Sequence, residues 1–293
     1  MNWWKSLKGR VKLKEPLKNY TTFKIGGRAR YFIEPQDFTD LKLLLNFSKR
    51  YRIPVFVIGR GSNILVNDKG MDAIVLHLNS GPFKQISLSN NFLEAGSAVL
   101  LSQVINFTRK HNLSGAEFLS GIPGTVGGAL VMNAGVKGRS ISNLVEDVAV
   151  MDYNGKIKTL SKRDINFGYR RSDLSKYIVL SVRMKLKKTN EREINDRISR
   201  YLNYRKVTQD LSHPSAGCIF KNPKGISAGR LIDLCGLKGR RIGGAFVSLR
   251  HANFILNLKK ASAKDVINLI SFIKHEVRKK FRVDLKPEIK IWN

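Results

Sequence analysis

Four side chains carry chemistry that the rest of the chain must position: Arg170, Cys218, Glu288 and Lys290. Cys218 follows the small-residue run His213-Pro-Ser-Ala-Gly217 and leads into Phe220-Lys221-Asn222. A free thiol has a pKa of about 8.5, so at neutral pH it holds a transferable proton. The run can aim that proton at an anionic ligand; the same residue also reads as a small buried hydrophobe. Arg170 stands in Tyr169-Arg-Arg-Ser172, after Asn166-Phe-Gly168. Its guanidinium can grip a carboxylate through two parallel hydrogen bonds. Glu288 and Lys290 share the polar side of a predicted last strand, as a solvated ion pair or as part of a site. Lys238, just after a predicted helix end, is a cap or a phosphate contact.

Two glycine-rich loops accompany these residues. The first is Gly59-Arg60-Gly61-Ser62-Asn63-Ile64, directly after an apolar strand. The second is Gly121-Ile122-Pro123-Gly124-Thr125-Val126-Gly127-Gly128-Ala129, followed by Asn133-Ala-Gly135. Glycines let backbone N–H groups approach phosphate oxygens. Neither loop fits the dinucleotide-fold fingerprint or the P-loop pattern. Each alone is also a tight turn; two together favour a bulky diphosphate cofactor.

The surrounding pattern is α+β. Tyr31 to Ile33, Val55 to Ile58 and Ala73 to Leu76 read as strands, and the stripe Phe38, Leu41, Leu45 as a helix up to Arg50. Leu100, Leu101, Val104, Ile105 and Thr108 form a second helical stripe. Asn154-Gly155 marks a β-hairpin. Ile178, Leu180, Val182, Met184 and Leu186 alternate with polar residues, giving a half-buried strand. A helix is predicted over 194–205 and another ending at Gly236, followed by strands 245–249 and 254–257. Ser262-Ala-Lys-Asp265 opens an amphipathic helix as a capping box with Asp in place of Glu. Val283, Leu285, Ile289 and Ile291 predict one last alternating strand.

Composition narrows the function classes. The 293 residues suffice for two domains. Two cysteines, Cys218 and Cys235, make no disulfide framework, and the scattered histidines show no metal-ligand spacing, so no metal is expected. A reduced, cytoplasmic setting fits. The basic start, Met1 to Arg10, has no apolar stretch behind it, so no signal peptide is read, and Trp3 and Trp4 are expected in a loose tail. No apolar run is long enough to span a membrane. The net charge is +31, from 53 Lys and Arg against 22 Asp and Glu. It favours anionic ligands, but it is spread along the chain without an RNA-binding motif, so no specific nucleic acid is expected.

The ordered set of segments resembles the UDP-N-acetylenolpyruvoylglucosamine reductase (MurB) family along nearly the whole chain. The match rests on Asn19-Tyr-Thr-Thr-Phe-Lys-Ile-Gly-Gly27, the two glycine loops, Tyr169-Arg170 and Ala216-Gly-Cys-Ile-Phe-Lys-Asn-Pro223. It continues through Ala228-Gly-Arg-Leu-Ile-Asp-Leu-Cys-Gly-Leu-Lys-Gly239, residues 243–257 and Pro287-Glu288. The resemblance implies an FAD-binding domain of the PCMH (vanillyl-alcohol-oxidase-like) type over 27–188 and a smaller α+β substrate domain over 189–293. Residues 1–26 would pack on the flavin domain, and the charged run 187–193 would mark the boundary.

The implied activity is NADPH-dependent reduction of an enolpyruvyl ether to a lactyl ether, yielding UDP-N-acetylmuramate for peptidoglycan. Arg170 and Glu288 take the family positions that polarise the substrate carboxylate. Cys218 takes the proton donor's position, where the family usually has Ser. The two glycine loops and Asn133 take cofactor positions; Asn222, Lys238 and Lys290 take diphosphate-contacting ones. The short connection between Ser172 and Cys218 places the chain in the subclass without a Tyr-bearing insertion. Two alternatives remain: another flavin oxidoreductase of the same fold, or a nucleic-acid-binding protein resting on charge alone.

Overall fold

Buried apolar side chains gather into clusters that divide the described chain into two compact units, neither contiguous in sequence. The first comprises Met1–Leu13, Tyr31–Gly59 and Asp72–Tyr204; the second comprises Lys14–Arg30, Arg60–Met71 and Arg205–Asn293. The structure, a computed structural model, describes residues 3–89, 92–136 and 138–293. The N-terminal Met1 and Asn2 of the segment expected to pack on the flavin domain lie outside the described residues. Among the described residues no helix is long and apolar enough to cross a membrane.

The first unit is built on a five-stranded antiparallel sheet. Its order is Ile157–Ser161, Val145–Met151, Ile178–Lys185, Phe92–Gly96 and Ile86–Ser89. The alternation predicted for the central strand is present: Ile178, Leu180, Val182 and Met184 are buried. Val182 and Met184 join Val104 and Ile105 of helix Leu101–Lys110 in one cluster. Ile178 and Leu180 join Leu41, Leu44 and Leu45 of helix Phe38–Tyr51 in another. A register shift between Ala149 and Val150 of the neighbouring strand lets the two halves of this alternating stripe serve different helices.

Trp3 corrects the expectation of a loose tail. It is only 5% exposed. Its ring lies 5.2 Å from Tyr31, 5.1 Å from Phe47 and 6.1 Å from Tyr51. A buried indole removes a large apolar area from water, more than enough to order a short turn. The buried Asp40 carboxylate anchors the next residues, accepting from the amides of Lys8 (3.0 Å) and Gly9 (2.8 Å).

The second unit holds a four-stranded antiparallel sheet ordered Ser215–Cys218, Phe254–Asn257, Ala245–Val247 and Arg241–Ile242. Helix Ala263–Phe281 covers it with Val266, Leu269, Ile270, Ile273 and Val277, all buried. Its predicted capping box forms: Asp265 N donates to Ser262 Oγ and Ser262 N to Asp265 Oδ2, both at 3.0 Å. Phe23, Ile25 and Leu65 enter the same core, which ties the early segments to the last hundred residues. The helix expected over 194–205 runs over Glu191–Thr208, and the division between the two units falls inside it.

The predicted last strand needs correction. Only Lys290–Trp292 is a strand, parallel to Ile64–Val66. Pro287 has no N–H to give a ladder. Pro287 itself makes only an isolated bridge, with Phe220. Leu285 and Ile289 are buried as expected, but Ile291 is 36% exposed.

Replacing Trp3 by Ala should lower unfolding free energy by about 3 kcal/mol, the usual cost of emptying a large aromatic site. Urea unfolding measures it; an unchanged midpoint would mean that the N-terminal turn adds nothing.

Candidate active site

In the second unit, the strand carrying the thiol is irregular where the thiol sits. Ser215 pairs with Leu256 and Cys218 with Phe254, with a register shift between them. Gly217 lies at φ +73°, which a residue with a Cβ adopts only at a cost. The bulge lies between Ser215 and Cys218, and pairing resumes at the half-buried Cys218. Immediately beyond it, Ile219 O accepts the amide of Glu288 at 2.7 Å. Segments distant in sequence are thereby joined, with Glu288 bonded to the residue next to Cys218.

Asn63 of the first glycine loop completes the junction. Its Nδ2 donates to Glu288 O (3.2 Å), and its own carbonyl accepts the Lys290 amide (2.9 Å). Arg60 is exposed, Ser62 half-buried, and Ile64 begins the strand beside Lys290. Thr22 links the same loop to the thiol strand, its hydroxyl donating to Ser215 O at 2.7 Å and its amide to Gly61 O at 3.2 Å. The second unit therefore brings Cys218, Glu288, Asn63 and the start of the Lys290 strand into one hydrogen-bonded junction.

The expected diphosphate contacts surround the next helix, Ala228–Leu234. Asn222 Oδ1 accepts the Ala228 amide at 3.0 Å, so its remaining side-chain capacity is that of an N–H donor. Lys238 pairs with Asp233 at 2.7 Å, after Gly236 has closed the helix. Burial pushes His251 below the ordinary histidine pKa, and the neighbouring Lys238 charge adds to the effect.

One cation escaped the sequence reading. Burial lowers the pKa of Arg205, while Cys218 is close enough to act in the opposite sense. Its Nε is buried without a partner, as is Oε1 of Gln209 one turn later. Among the described residues Arg205 makes no ion pair with a carboxylate. A half-buried guanidinium with an unpartnered Nε beside a thiol is poised for an anionic ligand. Nothing in a helix rich in arginine distinguishes this one by sequence.

Arg170 and the second glycine loop stand in the first unit. Arg170 is at the tip of the hairpin formed by Phe167–Gly168 and Arg171–Ser172, at φ +54° and over the Tyr169 ring at 5.3 Å. Asn133 holds this hairpin: its Nδ2 donates to Gly168 O at 3.0 Å, and its Oδ1 accepts from Ser142 N at 3.3 Å. Ser172 Oγ donates to Leu130 O at 2.9 Å. The Arg170 tip is thus fastened to the short helix Val126–Val131 that the glycine loop begins.

The loop's amides are more committed than the sequence suggests. Val126 N donates to Val99 O, Gly127 N to Ser97 O and Gly128 N to Thr125 Oγ1. A Cβ on Gly59 would stand 2.5 Å from Thr125 Oγ1, so the first loop is glycine where it must pass the second. Gly121 and Pro123 are exposed, Ile122 and Gly124 half-buried, and Ala129 buried. Ser97 and Ser120, flanking the loop, have buried hydroxyls with no partner among the described residues.

Comparison with known proteins shows the family of the chain. The family model described as the C-terminal domain of UDP-N-acetylenolpyruvoylglucosamine reductase matches residues 209–292, and an FAD binding domain model matches 29–161. A UDP-N-acetylenolpyruvoylglucosamine reductase of Clostridium novyi is 42% identical over 277 residues, covering 94% of this chain and 90% of its own length. The chain belongs to the UDP-N-acetylenolpyruvoylglucosamine reductase (MurB) family. A relative of the same name from Caldanaerobacter subterraneus is 42% identical over 285 residues, covering 97% of this chain and 94% of its own. The crystal structure of MurB from Thermus caldophilus superposes with a TM-score of 0.84 at 38% identity, covering 98% of this chain and all of that one.

The first unit fits the FAD that this family carries. Two unpartnered buried hydroxyls beside the glycine-rich loop are what a bound diphosphate or flavin ring would satisfy. Ser97→Ala and Ser120→Ala should leave the flavin-free protein as stable as before, since no internal bond is lost. Each should weaken FAD binding by about 1–2 kcal/mol, roughly 5- to 30-fold in Kd. Thermal unfolding with and without FAD reads both quantities; a large loss of stability without FAD would show that the hydroxyls serve the fold.

Proposed function

We propose that this protein reduces UDP-N-acetylenolpyruvoylglucosamine to UDP-N-acetylmuramate, with NADPH as reductant, in the cytoplasmic supply of peptidoglycan precursors. Family membership supports the activity. The single observation that carries the residue roles is the Glu288 N–H to Ile219 O bond, which joins the acid's segment to the thiol's. FAD, which the two glycine loops and Asn133 would hold, would supply the two-electron hydride chemistry between NADPH and the enolpyruvyl substrate.

The chain's own residues do the rest. Arg170 and Glu288 polarise the substrate carboxylate, where negative charge develops as hydride adds. Cys218 Sγ–H gives its proton to the carbon bearing that carboxylate. Hydride and proton together reduce the double bond, and the thiolate left behind regains a proton from water. The half-buried Arg205 cation stabilises that transient thiolate. Asn222, Lys238 and Lys290 hold the diphosphate; the Lys238–Asp233 pair orients the lysine before substrate arrives. The glycine loops hold FAD in a domain corresponding to 27–188, with substrate contacts from 189–293, a division supported by the two family matches.

Anaerobic stopped-flow absorbance separates the two halves of the reaction. The flavin should bleach with NADPH and recover its colour with the enolpyruvyl substrate. Cys218→Ala should bleach at the wild-type rate but recover at least about 100-fold more slowly, the scale of a lost general acid. Cys218→Ser should retain substantial recovery. Normal recovery in the alanine variant would assign the proton to another group, and a reconstituted wild type that NADPH does not bleach would overturn the activity itself.

A further inference from the structure

We infer that Asn253 is the positioning residue that sets the thiol strand for proton delivery, an inference that rests on the function proposed above. The strand Phe254–Asn257 pairs with Ser215–Cys218 and then ends; beyond Cys218 the neighbouring chain is the turn His251-Ala252-Asn253. Phe220, two residues past the thiol, is 1% exposed and needs partners for both its backbone groups. The Asn253 side chain supplies them as a substitute for a peptide unit. Its Oδ1 accepts Phe220 N at 2.9 Å, and its Nδ2 donates to Phe220 O at 2.8 Å. Its own carbonyl accepts Ile219 N at 2.9 Å. One residue, 2% exposed, thus makes three bonds to the two residues that follow Cys218.

The opposite edge of this short segment faces the terminal segment. Ile219 O accepts Glu288 N, and Lys221 N donates to Lys286 O at 2.9 Å. The segment 219–221 is therefore a bridging strand between Asn253 and the segment bearing Glu288. It carries Cys218 at one end and Asn222 at the other. Ile219 and Phe220 also pack into the apolar core with Ala252 and Ile255. Those contacts keep the segment buried but are non-directional. The paired amide bonds are directional and fix its register. Proton transfer is sensitive to that register, since a displacement of about 1 Å can cost about 100-fold.

Only asparagine has this reach and this donor and acceptor pair. Alanine leaves both Phe220 groups buried and unpaired; aspartate keeps the acceptor and loses the donor; glutamine is longer by one methylene. The test uses the FAD-loaded protein and rates normalised to bound flavin, so that a partly folded variant still reports. For Asn253→Ala, bleaching by NADPH should stay within about twofold of wild type. Recovery with the enolpyruvyl substrate should slow about 10- to 100-fold, with a larger solvent deuterium isotope effect on that step alone. Asn253→Asp should fall between the two, and it stands in if the alanine variant does not fold.

Wild-type recovery in either variant, or equal slowing of both halves without a change in isotope effect, would overturn the positioning role. Failure of wild-type reduced flavin to recover with substrate would instead overturn the functional reading, so the two failures are distinguishable.

Discussion

The hydrogen bond from Glu288 N–H to Ile219 O organises the second unit. It joins an edge strand made early in that unit to the chain's last extended segment. That segment then pairs in parallel with Ile64–Val66. The 19-residue helix Ala263–Phe281, about 28 Å long, leads from the strand Phe254–Asn257 to this terminal segment. Its capping box and its buried stripe determine where the terminal segment begins, and so where Glu288 arrives.

Around that bond, asparagine side chains do the work that a regular ladder does elsewhere. Asn63 holds the Glu288 carbonyl, Asn253 holds Phe220, and Asn257 Nδ2 binds the carbonyl of Phe23 at 3.0 Å. The first unit uses the same device, with Asn133 fastening the Arg170 hairpin. An amide side chain offers a donor and an acceptor without net charge. It can satisfy irregular backbone in a buried place where a carboxylate would carry a desolvation cost. Irregular backbone is what a site needs in order to aim a thiol or a guanidinium away from the sheet.

The charge of the chain belongs to a different scale. An excess of 31 positive charges is spread over the sequence and biases the surface toward anionic ligands. Lys238 is held by Asp233 and Arg183 by Asp147, so some cations near carboxylates are already engaged. Arg205 differs through its buried Nε, unpartnered among the described residues, not through its residue type. Exposed arginines are solvated and screened; a desolvated one is not.

Much of this protein was legible in its residues. The periodicity of Ile178 to Met184 defined a strand buried on one face, and Ser262 with Asp265 defined a helix start. Asn154-Gly155 turned a hairpin, and the ordered motifs named the family before any geometry was known. Each of these signals is local, set by near neighbours or by a short repeat. Other features were decided only by tertiary contact. Trp3 became core because Tyr31 and Phe47 came to meet it. The amides of the second glycine loop turned out to be bound by Val99 and Ser97. Arg205 and Asn253 looked like any other arginine and asparagine until folding set one beside Cys218 and the other across from Phe220. Residue type and spacing determine what chemistry a chain can hold. Which copy of a common residue performs it depends on burial and on partners distant in sequence, and those exist only once the chain has folded.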